Sequence, residues 1–207
     1  MNSYCAIDGI LLWAMLPDIP VMPQHVVDDI LGKTETNTTE RTYHARGQVV
    51  SESKLVTHDM SPIVNLGFEW VREHIDADAK SVWRADFPGD SKKVPAHTDA
   101  RREHGVNCIF TTGSLQPVKT QFYKPRGSKE LALSQKGLWF IDESELEVIE
   151  EVEFPLSKWW YINTRVIHGT NLANLTSVRS TCGIGYNNAL GTNVQQMLDP
   201  IYKRIKL

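Results

Sequence analysis

His97-Thr98-Asp99 sets two metal-binding side chains close together. A second such triplet, His74-Ile75-Asp76, has the same composition. Local pattern separates them. His74 continues the helical run Trp70-Val71-Arg72-Glu73, where residues two apart point away from each other. His97 follows Pro95 in an extended stretch, where residues two apart share a face, so His97 and Asp99 can converge on one ion. Two ligands fix a divalent ion poorly, and His168, between the β-branched Val166-Ile167 and Gly169, is the candidate third. Two histidines and one carboxylate leave three coordination positions open, the donor set of non-haem Fe(II) sites. A structural zinc site would need four protein ligands, often cysteine, and no Cys pair stands near these residues. For a histidine taken alone, a satisfied core position is the plainer alternative.

Arg179 and Thr181 follow at eleven and thirteen residues beyond His168. A guanidinium holds a carboxylate bidentately, and Thr181, two residues on, shares the face of Arg179. The turn-rich Asn171 to Ser177 suits a hairpin, which would put Arg179 on the strand beside His168. Taken by itself, Arg179 would be read as pairing with an internal carboxylate or as facing solvent. Arg101-Arg102-Glu103-His104 reads as a polar loop at a pocket mouth, its functional reading contact with an acidic or phosphorylated substrate and its plainer one a solvated loop.

These side chains need elements to hold them. Residues 1–80 read as an irregular and helical lead-in. Gly9 to Leu16 is a buried strand or short helix, Gln24 to Leu31 a helix stopped by Gly32, and Lys33 to Thr42 a Thr-rich surface loop. A second helix opens at Ser61-Pro62 and carries Ile63, Leu66, Gly67, Trp70 and Val71 on one stripe. From Ser81 the period changes to two. Strands are expected at Ser81 to Phe87, Val106 to Thr111, Thr120 to Tyr123, Gly137 to Ile141, Glu147 to Phe154, Trp159 to Asn163, Val166 to Gly169 and Arg179 to Tyr186. Trp159 and Trp160 point to opposite faces, so one of them is expected to face the core. The fold class is mainly β with flanking helices, a small β-barrel or jelly roll. We expect one domain over residues 1–207, with a core at 81–187 and a tail at 188–207.

Composition limits the functions open to such a domain. The 207 residues carry 22 basic and 25 acidic side chains, a net charge of -3, which argues against nucleic acid held by global charge. Three cysteines make no disulfide framework and fit a reducing compartment, so a cytoplasmic location is expected. The apolar run before Pro17 is far shorter than a membrane span and lacks the basic flank of a secretory signal, so no membrane association is expected.

His97-x-Asp99, His168 and Arg179-x-Thr181, in that order on strands, resemble the Fe(II)/2-oxoglutarate-dependent dioxygenase superfamily. Phe87-Pro88-Gly89 before the first ligand resembles prolyl-hydroxylase-like members, where a Tyr often stands at the position of Phe87. Trp160 to Asn163, His168, Asn171 and Arg179 are similar to aspartyl/asparaginyl-hydroxylase-like sequences and small phage-encoded oxygenases. The resemblance spans roughly residues 81 to 187. It implies a double-stranded β-helix, the cupin-like jelly roll. It also implies Fe(II) on His97, Asp99 and His168, with 2-oxoglutarate as co-substrate on Arg179 and Thr181. Dioxygen, release of succinate and CO2, and hydroxylation of a C–H bond of a small-molecule or peptide substrate follow from it. Asn107 and Thr120 are further candidates for binding 2-oxoglutarate or substrate, with core packing as the plainer reading; Trp83 and Phe87 are candidates for the pocket wall. The alternative function is a jelly roll that binds a metal, ligand or partner without turnover. Substrate identity and oligomeric state have no signature in the sequence.

Overall fold

The computed structural model describes residues 3–32, 37–45, 48–59, 66–80, 82–89, 93–99, 102–111, 117–133, 139–140, 142–172 and 175–205. In chain order the elements are β1 (Tyr4–Ile7), β2 (Ile10–Met15), α1 (Gln24–Gly32), β3 (Asn37–Ala45), β4 (Gln48–Asp59), α2 (Leu66–His74), β5 (Trp83–Phe87), β6 (Lys93–Thr98), β7 (His104–Thr111), β8 (Thr120–Pro125), β9 (Trp139–Phe140), a 3-10 turn (Glu143–Glu145), β10 (Leu146–Val152), β11 (Trp159–Asn163), β12 (His168–Asn171), β13 (Arg179–Tyr186) and α3 (Thr192–Ile205). None of the described helices is long and apolar enough to cross a membrane.

The strands pair antiparallel into two sheets, ordered β1-β2-β11-β7-β13-β5-β4-β3 and β10-β8-β12-β6-β9. From β5 the chain passes back and forth between them: β5, β7, β11 and β13 lie in the large sheet, and β6, β8, β9, β10 and β12 in the small one. Apart from the two-residue edge strand β9, four strands on each side make the expected double-stranded β-helix, which wraps an interior between facing sheets. Ile109, Trp160 and Ile162 from the large sheet pack with Phe122 and Val152 from the small one. Phe154 stacks on Trp160 with centroids 3.5 Å apart.

The large sheet is covered on its outer face as well. Val26, Val27 and Ile30 of α1, Trp70 and Val71 of α2, and Val194 and Leu198 of α3 pack on Cys108, Trp159, Tyr161, Cys182 and Ile184. Both Trp159 and Trp160 are therefore buried, one against the helices and one between the sheets, where the sequence led to an expectation of one. A central strand covered on both faces has no solvent side to alternate toward.

The lead-in corrects a second expectation. Residues 1–80 hold four strands, β1 to β4, besides the two helices. β2 pairs with β11 and β4 with β5, so the large sheet extends beyond 81–187 at both edges. Asn37 to Thr42, read as part of the Lys33 to Thr42 loop, belongs to strand β3, and its β-branched threonines suit a pleated surface as well as a loop. Gly9 to Leu16 resolves as strand β2. The Ser61-Pro62 helix start lies outside the described residues, and α2 is seen from Leu66. The tail folds as α3, whose Val194 and Leu198 join the outer core.

One connection also differs from the hairpin expected after His168. β12 pairs with β6 and β8, whereas β13 pairs with β5 and β7. The connection from Leu172 to Val178 thus crosses from the small sheet to the large one. Arg179 and His168 thus lie on different sheets instead of on neighbouring strands.

Candidate metal centre

His97, Asp99 and His168 come together although the chain separates the first and last by 71 positions. His168 is the register partner of His97 in the β12–β6 pair. One ligand atom from each of the three residues lies within 4.8 Å of the others. His97 Nε2 is 3.5 Å from Asp99 Oδ1, and the imidazole centroids are 4.5 Å apart.

A bulge aims His97. His168 opposes His97 while Thr170 opposes Val94, so β6 has an extra residue in the interval. Such an insertion turns the following side chain to a new direction. The bulged backbone passes close over Gly169, where an added Cβ would stand 2.8 Å from the Val94 carbonyl oxygen. Gly169 is thus required by close approach of two backbones. Thr164, fully buried, ties down the other ligand loop. Its carbonyl accepts from the Asp99 N–H at 3.1 Å, its Oγ1 donates to the Arg102 carbonyl at 2.7 Å, and its N–H donates to the Glu103 carbonyl at 3.1 Å.

The histidine tautomers follow from hydrogen bonding. His97 Nδ1 is 2.8 Å from the Pro95 carbonyl oxygen, and His168 Nδ1 is 2.9 Å from that of Val166. A carbonyl only accepts, so each Nδ1 carries the proton and each neutral ring presents its Nε2 lone pair. Burial pushes the His168 pKa down to about 4, helped by neighbouring His97, against the opposing pull of Asp99 and of the Val166 carbonyl. Burial alone would raise the Asp99 carboxyl. The Arg102 charge outweighs this and holds it well below the usual carboxylate range. Arg102 donates through Nε to Asp99 Oδ2, leaving Oδ1 on the His97 side. Two neutral imidazole nitrogens and an ionised carboxylate oxygen, each fixed by a further hydrogen bond, are the donors a hard-to-borderline divalent metal such as Fe(II) takes.

Arg179 lies on the inner face of β13, opposite Phe87 of β5 in register, with its guanidinium carbon 5.7 Å from the Phe87 ring centroid. It is 5% exposed. Among the described residues no carboxylate lies within ion-pair distance of it, and its Nε has no hydrogen-bond partner. Burial lowers its pKa to about 10, which still leaves it cationic at neutral pH. A buried cation left without an anion costs several kcal/mol (order of magnitude), so its conformation fits a site that receives an anion.

The remaining candidates have less to mark them; Thr181, Thr120, Asn107 and Phe87 are buried, and Trp83 is partly buried. Thr181 shares the inner face of β13 with Arg179, and its Oγ1 donates to the Ala85 carbonyl at 3.4 Å, so that hydroxyl is used by the fold. Thr120 sits on β8 opposite Thr170. Asn107 sits on β7 opposite Gly183, and its Oδ1 has no partner. Trp83 and Phe87 flank Ala85 on the inner face of β5. The second His-x-Asp triplet holds no such site. His74 Nδ1 bonds the Trp70 carbonyl within the helix and Asp76 Oδ1 accepts from the Asp78 N–H.

Arg102 was read only as part of a polar loop at a pocket mouth, yet it contacts the ligand carboxylate and its guanidinium carbon lies 4.7 Å from the Trp83 ring centroid. The Asp-x-x-Arg spacing was the available signal. Thr164 carried none, because its role lies in backbone contacts.

No family model matches the chain, and no curated protein matches it. Solved structures similar to it include ycfD of E. coli, at 10% identity and a TM-score of 0.44, covering 97% of this chain and 54% of that one. The chain therefore spans about half the length of that protein. An oxidoreductase of the 2OG-Fe(II) oxygenase family from Burkholderia pseudomallei is 12% identical, with a TM-score of 0.47, covering 87% of this chain and 88% of that one. The epimerase SnoN, solved with Fe3+, alpha ketoglutarate and nogalamycin RO, is 11% identical with a TM-score of 0.48, covering 84% of this chain and 78% of that one. At identities this low, function has to be argued from the residues themselves.

Proposed function

We propose that the chain is an Fe(II)- and 2-oxoglutarate-dependent oxygenase that hydroxylates a C–H bond of a small-molecule or peptide substrate, using dioxygen and releasing succinate and CO2. The observation that carries this reading is a pairing across one interior. A metal-ready His97, Asp99 and His168 set on the small-sheet side shares the interior with a buried Arg179 on the large sheet, which has no carboxylate beside it among the described residues. A dicarboxylate with a chelating keto-acid end satisfies both.

In this reading His97 Nε2, His168 Nε2 and Asp99 would hold Fe(II), which supplies the oxidation of substrate by dioxygen when bound with the oxo-acid. The protein's own work is positional. Pro95 and Val166 carbonyls lock the two imidazoles, and Arg102 keeps Asp99 ionised and oriented. Arg179 would receive the far carboxylate of 2-oxoglutarate, with Phe87 against its guanidinium excluding water. Thr181, Asn107 and Thr120 line the same interior as supporting contacts. The lead-in and the core act as one catalytic domain, since β2 and β4 extend the sheet that carries Arg179.

The test is thermal stability under anaerobic conditions with Fe(II), 2-oxoglutarate and both. We expect each to raise the Tm and the pair to raise it most. His168→Ala should lose the metal response. A wild-type chain that responds to neither ligand, or a His168→Ala variant that binds metal unchanged, overturns the reading. Succinate release against peptide, nucleoside and amino-acid pools then identifies the substrate class.

A further inference from the structure

Three glycines open a trough in the inner face of the large sheet. Gly105 and Gly185 are register partners on β7 and β13, and Gly183 stands between Asn107 and Trp83. A Cβ at Gly183 would meet Asn107 Oδ1 at 2.3 Å and Trp83 Cζ2 at 2.7 Å, and a Cβ at Gly185 would meet Arg102 Cδ at 3.0 Å. The space that side chains would have filled is occupied by Asn107, Trp83 and the stem of Arg102.

The polar atoms of these three residues are poorly used by the fold. Asn107 is 5% exposed, and its Oδ1 has no hydrogen-bond partner. The Trp83 Nε1–H is buried and also lacks one. Arg102 gives its Nε to Asp99, its planar group lies over Trp83, and its side chain keeps 26% exposure. Among the described residues its Nη groups meet no acceptor. Buried polar atoms are usually paired, so an acceptor and a donor left over around one guanidinium mark a place for a ligand.

This place is separate from Arg179. Gly183 stands four positions beyond Arg179 on β13, about 13 Å along the strand. Arg102 instead contacts the metal-ligand carboxylate directly. Asp99 already offsets part of the Arg102 charge, so the spot suits a monoanion such as a carboxylate better than a dianionic phosphate, which calls for more cations. Asn107 Oδ1 can only accept, and so calls for a donor beside that anion.

We infer that Arg102, Trp83 and Asn107 form the substrate subsite, and that they receive the carboxylate and amino group of a free α-amino acid. Arg102 Nη and Trp83 Nε1 donate to the carboxylate, and Asn107 Oδ1 accepts from the ammonium. This assignment rests on the oxygenase reading, since it places the substrate beside the triad and the co-substrate on Arg179.

The test is calorimetric titration and thermal shift of the intact chain loaded with Mn(II) and 2-oxoglutarate. The probes are the standard L-amino acids, each compared with its carboxamide and its N-acetyl form. We expect at least one amino acid to bind, about tenfold or more tighter than either derivative. Arg102→Met should lower that affinity by a similar factor while 2-oxoglutarate still binds, and Asn107→Ala should narrow the gap between the amino acid and its N-acetyl form. Amino acids that fail to bind while Mn(II) and 2-oxoglutarate do overturn the inference alone. So do derivatives that bind as tightly as the free acid, the outcome a peptide substrate would give. Loss of 2-oxoglutarate instead of amino acid in Arg102→Met overturns it too. Absence of Mn(II) and 2-oxoglutarate binding in the wild type overturns the oxygenase reading, and this one with it. If Arg102→Met weakens the metal site, the wild-type comparison of acid with carboxamide still decides.

Discussion

Two buried arginines on adjacent strands meet opposite fates. Arg84 on β5 points to the outer face of the large sheet and is 8% exposed; Arg179 on β13 points inward and is 5% exposed. Arg84 is fully engaged by the fold. Its Nε donates to Asp86 Oδ1 at 2.9 Å and its Nη2 to Asp86 Oδ2 at 2.6 Å. Its Nη1 reaches the carbonyls of Ile30 and Leu31 at 2.9 and 2.8 Å, closing the C-terminal end of α1. A cation there offsets the helix dipole and satisfies carbonyls that have no partner inside the helix. Arg179 has no such carboxylate among the described residues. The difference teaches that burial alone does not say what a cation is for: one is matched by its own neighbours, and the other is left for the proposed 2-oxoglutarate carboxylate.

The largest effect expected from breaking this comparison is at Arg84. Arg84→Met leaves Asp86 buried without its guanidinium and the α1 carbonyls uncapped, and should destabilise by about 3–5 kcal/mol in denaturant unfolding. Pairing it with Asp86→Leu should restore part of that loss, because both charges are then gone. A single variant as stable as wild type would show that the pair does not anchor α1.

Gly169→Ala comes next. The added methyl meets the Val94 carbonyl and must push the β6 bulge away, at a cost of about 1–3 kcal/mol. Because that bulge aims His97, Mn(II) affinity should also fall by about tenfold or more. Unchanged metal affinity with lowered stability would separate the bulge from the site.

Arg179→Met should do the reverse of Arg84→Met. Stability should stay within about 1 kcal/mol of wild type or rise, since an unpaired buried charge is removed. The Tm gain from 2-oxoglutarate should vanish while the gain from metal alone persists. A destabilisation as large as that of Arg84→Met would mean that Arg179 is structural.

The last expected effect is on pH. The folded pKa of His168 is depressed to about 4, below the ordinary value of 6.5. The unfolded chain therefore takes up the proton first. Stability from this group is full above about pH 6.5 and is lost as the pH falls toward 4, with on the order of 1–2 kcal/mol gone by pH 5. Urea unfolding at pH 7 and 5, in wild type and His168→Gln, measures it; an equal pH slope in the two would remove His168 as the cause.

Much of the core was legible beforehand because period-two patterns depend on local geometry alone. β13 begins and ends where the alternation does, at Arg179 and Tyr186, and β5, β7 and β11 lie within two residues of expectation. The lead-in strands were less legible. Thr-rich Asn37–Ala45 suits a loop or an edge strand equally, and only pairing with β4 decides between them. The same holds for the crossing from β12 to β13, since a seven-residue turn-rich connection closes a hairpin or spans two sheets with equal ease.

The sequence by itself determined the inventory of the site: extended His97-x-Asp99, a later His168, and Arg179 with Thr181 on one face. These follow from residue type and local period. Tertiary structure decided which of those groups keep a partner. Arg84 and Arg179 are indistinguishable as letters. One finds Asp86 two residues along its own strand, and the other faces an interior that offers it no carboxylate among the described residues. Arg102 too is placed at the candidate site by tertiary contacts, through the bonds of Thr164, after β11, to the Arg102 and Glu103 carbonyls. Satisfaction of a buried charge is a property of everything packed around it, and no local pattern carries that information.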